Sequence, residues 1–186
     1  LAQLLKPQRI LPTSIEFVDI AGLVKGAHQG EGLGNQFLSH VFGVDALLHV
    51  VRCFTDDHVV HPMGDVNPRR DIDVINTELM LKDLEVLGRR REREQKLAKG
   101  GDKAAIKLLE ALEPWDVALS AATPIRSLGL AAEVQPRAFG IDMLSAKPVL
   151  YAANVGEGDL GKELASVASL RTLSQAEGAQ LVVFCA

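Results

Sequence analysis

Hydrophobic and polar positions along the chain change period several times, and each change marks an element. Residues 8–20, QRILPTSIEFVDI, read as two extended segments split by Pro12, the second of them, Ile15 to Ile20, apolar enough for a sheet interior. In NQFLSHVF, Phe37, Leu38, Val41 and Phe42 fall on one helical face. DALLHVVRCF, residues 45–54, is β-branched and apolar, which predicts a buried strand. From residue 71 the period lengthens. Apolar side chains at 72, 75, 79, 84 and 87 keep helical spacing with charges opposite them. Gly100-Gly101 interrupts that helix, and Asp102 can cap a second one whose Ile106, Leu109 and Leu112 form a stripe. Two helices joined by so short a break pack as an antiparallel hairpin. Residues 114–138 form a connection without a clear period. KPVLYAANV (147–155) then predicts a buried strand, KELASVASLRTLSQAEG a helix and QLVVFC (180–185) a last strand.

Strands alternating with helices imply an α/β fold with a mostly parallel sheet, interrupted by the helical hairpin. The expected division is 1–70 for the first part of the sheet domain, 71–138 for the hairpin and 139–186 for the second part. Hydrophobic residues make up 47% and charged residues 24% of the 186, ordinary for a globular domain with a core. The net charge of −4 excludes a chain that binds polyanions over its whole surface, so any nucleic-acid contact needs a local basic patch. Cys53 and Cys185, both inside apolar runs, read as buried reduced thiols of a cytoplasmic protein. No apolar stretch reaches the ~18–20 residues that cross a membrane.

The chemistry concentrates in IEFVDIAGLVKGAHQGEGLG, residues 15–34. An apolar strand ending in Asp19 presents a carboxylate at the carboxyl end of a parallel sheet, where α/β folds bind phosphates. There Asp19 can hold Mg²⁺, as Walker-B aspartates do. Gly22 lacks a Cβ, so its N–H can approach a terminal phosphate. A capping Asp and a turn Gly are the plain alternative. Gly26, Gly30, Gly32 and Gly34 make a loop costly to order, suited to a switch that orders only around a phosphate. GEGLGN is not a dinucleotide fingerprint, since it comes well after the strand. GEGDLGKE, residues 156–163, mimics a phosphate-binding loop, but Glu163 stands where Ser or Thr must bind the metal. Asn154-Val155-Gly156-Glu157 ends a buried strand where GTPases carry N-K-x-D to read the base, with Glu157 in place of the guanine-selecting Asp. His58 and His61, behind Asp56 and Asp57, lack a further ligand set and read as a solvated loop. Arg89-Arg90-Arg91 with Arg93 reads as a solvated helix face, or more sharply as a surface for RNA.

Together these residues resemble the Obg-like ATPase (YchF) family of P-loop NTPases. The resemblance rests on IEFVDIAGLVKGAHQGEGLGNQFL, HVVRCF, RDIDVINTELMLKDLE, KGGDKAA and KPVLYAANVGE, in order, and extends over essentially the whole chain. It implies a P-loop NTPase G domain, incomplete here, with an inserted coiled-coil hairpin. By the same resemblance the phosphate-binding loop and first switch would precede Leu1, a TGS domain would follow Ala186, and the chain would be an internal piece, inactive alone. The resemblance implies Mg²⁺ at Asp19, phosphate sensing at Gly22, and base contacts from Asn154, Val155 and Glu157. Phe54 would stack on the purine, and Cys185 and Ala186 would begin the last base-contacting loop. Leu23 would replace the glutamine that orients the attacking water, and no catalytic residue is assigned. The implied substrate is ATP, with GTP possible. The implied partner is the ribosome or its RNA, with neither membrane nor DNA. A non-catalytic module binding RNA or protein through the hairpin is the rival reading.

Overall fold

A computed structural model describes residues 13–20, 33–56 and 58–186. In chain order its regular elements are α1 (Leu33–Phe42), β1 (Leu47–Arg52), α2 (Pro68–Lys99), α3 (Lys103–Ser120), β2 (Val149–Asn154), α4 (Ala165–Ala176) and β3 (Gln180–Phe184). Short 3₁₀ turns fill half of the stretch between α3 and β2. The three strands form one parallel sheet in the order β1-β2-β3. The α/β class and the parallel sheet are therefore as the hydrophobic pattern implies.

One face of the sheet holds the main core. Val51, Cys53, Tyr151, Ala153 and Val155 pack there against Val167, Leu170 and Leu173 of α4 and Ile72 of α2. The opposite face leaves Leu48, Val50 and Val182 exposed. The strand expected as buried over 45–54 is thus covered on one side only, because no described helix packs over the other. The segment 13–20 departs further from expectation. It forms no strand, and Ile15, Phe17 and Val18 are exposed. A strand exists only through its ladder, and no described strand pairs with this stretch. Ile20 alone packs inward, on the cluster of Leu38, Val41, Leu79 and Leu144.

The long helix α2 starts where its residues allow. Pro68 occupies the first turn, where its missing N–H costs nothing, and the Asn67 side chain accepts from Arg70 N at 3.1 Å. At 32 residues α2 spans about 48 Å, so it crosses more than one core. Ile72 joins the sheet core, Leu79 the cluster with α1, and Met80 and Leu87 pack on Leu112, Trp115 and Leu119 of α3. Gly101, at φ +86°, permits the tight reversal, and Asp102 caps α3 by accepting from Ala104 N and Ala105 N at 2.8 and 3.1 Å. The hairpin is present, but its stripe on α3 shifts. Ile106 is exposed, while Ala105, Leu112, Trp115 and Leu119 face α2. Helix α3 also runs on through Pro114 to Ser120, past the point where the sequence pattern fades.

Polar groups tie these layers together. Asp83 of α2, fully buried, accepts from Leu144 N and Ser145 N, each at 2.7 Å, and so pins the turn that leads into β2. Arg126, just after α3, pairs with Glu177 at 2.8 Å and donates to Asn76 Oδ1 of α2 at 2.8 Å. Tyr151 of β2 donates to the same Glu177 carboxylate at 2.7 Å.

Candidate nucleotide site

Parallel strands in register bring their carboxyl ends to one rim. Arg52, Asn154 and Phe184 are direct partners across the sheet, so the segments that follow them emerge side by side. Backbone bonds continue the alignment past the strands, with Cys53 N donating to Asn154 O at 2.7 Å and Val155 N to Phe184 O at 2.9 Å. Phe54, Asn154 to Glu157, and Cys185-Ala186 therefore share one rim, although they are about a hundred and thirty residues apart at the extremes.

The side chains at this rim have distinct environments. Asn154 Oδ1 accepts from Ala186 N at 3.2 Å, which ties the β2 and β3 exits together. Val155 is buried in the core, so only its backbone faces the rim. Gly156 lies against Phe54, a Cβ built there coming within 3.9 Å of Phe54 Cβ. Glu157 is exposed and opens a single 3₁₀ turn, Glu157–Asp159. Cys185 is exposed, contrary to the expectation of a buried thiol, because it lies past the last residue of β3, Phe184, and no described side chain covers it. Cys53 is buried as expected, and desolvation pushes its thiol up to about 11.

Arg52 is the rim residue that sequence reasoning missed. Its guanidinium donates to Phe54 O, Val59 O and Asp56 O at 3.1, 2.9 and 3.3 Å, and lies 4.7 Å from the Phe54 ring centroid. One side chain thus shapes the whole exit loop of β1. The available signal was a single cation inside the apolar run HVVRCF. The look-alike loop at 156–163 resolves as a turn. Lys162 pairs with Asp159 at 3.2 Å, and α4 begins only at Ala165.

Other sequence candidates lie elsewhere. Asp19 is exposed in the unpaired segment, and no described contact joins it to the rim. Gly22, Leu23, Gly26, Gly30 and Gly32 lie outside the described residues, and Gly34 falls in α1. The Phe37 side chain also lies outside them. His61 accepts from Met63 N at Nδ1 and sets Nε2 3.1 Å from Asp71, while His58 is exposed.

Comparison with known proteins gives this rim a context. The 50S ribosome-binding GTPase family matches residues 5–90. The ribosome-binding ATPase YchF of Escherichia coli O157:H7 is 48% identical over 186 residues, all of this chain and 51% of that protein. The protein of the same description from Bacillus subtilis is 44% identical over 190 aligned positions, again 100% of this chain and 51% of the relative. Over its whole length the chain is similar to these YchF proteins. The solved structure of the Schizosaccharomyces pombe YchF GTPase matches with a TM-score of 0.76 and 33% identity, over 99% of this chain and 51% of that one. The fold is thus that of a P-loop GTPase domain with an incomplete sheet. The chain spans about half the length of the curated relatives it matches.

Proposed function

We propose that this chain forms the base-binding part of a purine nucleoside triphosphatase that prefers ATP, admits GTP, and reports its nucleotide state to the ribosome. The observation that carries the reading is the convergence of Phe54, Asn154, Glu157 and Ala186 on one rim of a parallel sheet. In this reading Phe54 covers one face of the purine and Asn154 meets its edge. The backbone at Val155 and Cys185-Ala186 closes the pocket. Glu157 replaces the Asp that accepts from guanine N1–H and the 2-amino group, which relaxes selection for guanine.

The reaction is attack by water on the terminal phosphorus, with cleavage of the bond to the bridging oxygen and release of phosphate and the diphosphate. In this reading Gly22 senses the terminal phosphate, Gly26, Gly30 and Gly32 order around it ahead of α1, and Leu23 leaves the water to be oriented by another group. Mg²⁺ supplies charge neutralisation on the phosphates. The exposed Asp19 carboxylate is a hard oxygen ligand that suits an ion keeping most of its waters. The 186 residues contain no G-x-x-x-x-G-K-[ST] sequence, and so bind nucleotide weakly by themselves. Calorimetric titration of ATP and GTP, each with Mg²⁺, into a protein of the family's full length carrying this chain tests the reading. Tighter binding of ATP supports it, and strong preference for GTP overturns the base assignment.

A further inference from the structure

The last residue of β1 is a cation at the end of an apolar stripe. Alternation along the strand puts Leu48, Val50 and Arg52 on the uncovered face of the sheet, where Leu48 and Val50 are exposed. Arg52 pairs with Asn154 in the register, and its guanidinium turns forward over the exit of its own strand. Nε donates to Phe54 O at 3.1 Å, and the two terminal nitrogens donate to Val59 O at 2.9 Å and Asp56 O at 3.3 Å. The same group stands over one face of the half-buried Phe54 ring, 4.7 Å from its centroid. The bonds to Val59 and Asp56 are exposed, so water can satisfy those two carbonyls equally well. Water cannot hold three carbonyls in one arrangement or set a cation on a ring. A planar fork of fixed donors can.

We infer that Arg52 is a positioning residue for purine binding, which holds the Phe54 ring from one face so that the opposite face meets the base; the inference rests on the base-binding reading above. Arg52 grips both the carbonyl of Phe54 and its ring, so one side chain sets the backbone and the aromatic plane together. Gly156 backs onto Phe54 Cβ from the exit of β2, which supports the ring beside the segment assigned to the edge of the base. A ring placed in advance loses little freedom when the nucleotide arrives. The cation also draws on the negative face of the ring, which eases close stacking of a second π-system on the other side. Arg52 itself touches no nucleotide atom in this arrangement. It therefore supports adenine and guanine alike, and the choice between them is left to Glu157.

The test is calorimetric titration of ATP, GTP and inorganic triphosphate, each with Mg²⁺, into a protein of the family's full length carrying this chain. Inorganic triphosphate has no base, so it reports on everything except the stack. Arg52→Met is expected to weaken ATP and GTP equally, by about 5- to 10-fold, and to change inorganic triphosphate by less than about twofold. Phe54→Leu is expected to weaken ATP by about tenfold or more, since it removes the stacking face. In that background Arg52→Met adds less than about twofold, because the ring through which it acts is gone. An equal loss for ATP and inorganic triphosphate in Arg52→Met means a general effect on the fold and overturns the proposal. Full additivity of the two substitutions overturns it as well. If Phe54→Leu weakens ATP and Arg52→Met does not, the positioning role fails and the base-binding reading stands. If Phe54→Leu leaves ATP unchanged, Phe54 is no part of the base site, and the base assignment falls together with this inference.

Discussion

In the base-binding reading proposed above, the chain length of the Glu157 carboxylate sets which purine edge it can meet, because the backbone around it is already placed. Gly156 backs onto Phe54, and Asn154 is held by Ala186 N. Shortening the side chain by one methylene restores the residue that GTPases use to accept from guanine. Glu157→Asp is expected to shift the ATP-to-GTP affinity ratio toward GTP by roughly tenfold or more, read by calorimetric titration in the full-length protein. Two other residues act in opposition on stability. Burial raises the Asp83 carboxyl to about 6, while burial and then the Arg126 cation lower the His49 imidazole to about 4. A raised carboxyl means that the folded state holds the proton more tightly than the unfolded chain, so this contribution gains as pH falls through 6 and is complete near 4. A lowered imidazole means the reverse, and its contribution is lost as pH falls from about 6.5 toward 4. The two nearly cancel in the parent. His49→Phe removes one of them, and its unfolding free energy is expected to rise from pH 6.5 to 4.5 relative to the parent, measured by urea titration at each pH.

At the scale of elements, α3 shows a strong local signal being overridden. Pro114 should end or kink a helix, since it removes a backbone donor and crowds the carbonyl one turn back. The helix continues because Trp115 and Leu119, beyond the proline, are buried against α2, Trp115 with its ring 5.7 Å from Phe139. Pro114 itself is exposed, so replacing it disturbs no packing. Pro114→Ala is expected to stabilise the chain by about 1–3 kcal/mol, seen as a higher thermal midpoint in the fluorescence of the single tryptophan. The strand at 15–20 shows the converse. Its apolar pattern is as good as that of β2, yet it stays extended and unpaired because periodicity describes a face and not a neighbour.

For the whole molecule, the buried group of Asn76, Arg126, Tyr151 and Glu177 decides how the hairpin meets the sheet. It joins α2, the turn after α3, β2 and the turn after α4, with Arg126 and Glu177 each 6% exposed. At that burial, removing one partner strands a charge in a low-dielectric interior. Glu177→Gln is expected to cost about 3–5 kcal/mol, measured by chemical denaturation. Arg126→Met/Glu177→Leu is expected to cost less than the sum of the two single changes, because neither charge is left alone.

Periodicity and turn chemistry are local, and what they specify was legible. The strands at 149–154 and 180–184, helix α4, the reversal at Gly100-Gly101 and the cap at Asp102 all follow from neighbours within a turn or two. The candidate site residues Asn154 and Glu157 were legible for the same reason, as the end of a strand followed by a loop. Other features depended on atoms far apart in the chain. These include the exposure of Cys185 and Leu48, the use of Arg52 to shape a loop, and the buried pair between residues 126 and 177. No window of sequence contains both partners of such contacts. Burial and pairing are properties of what packs alongside, so only the tertiary structure could decide them.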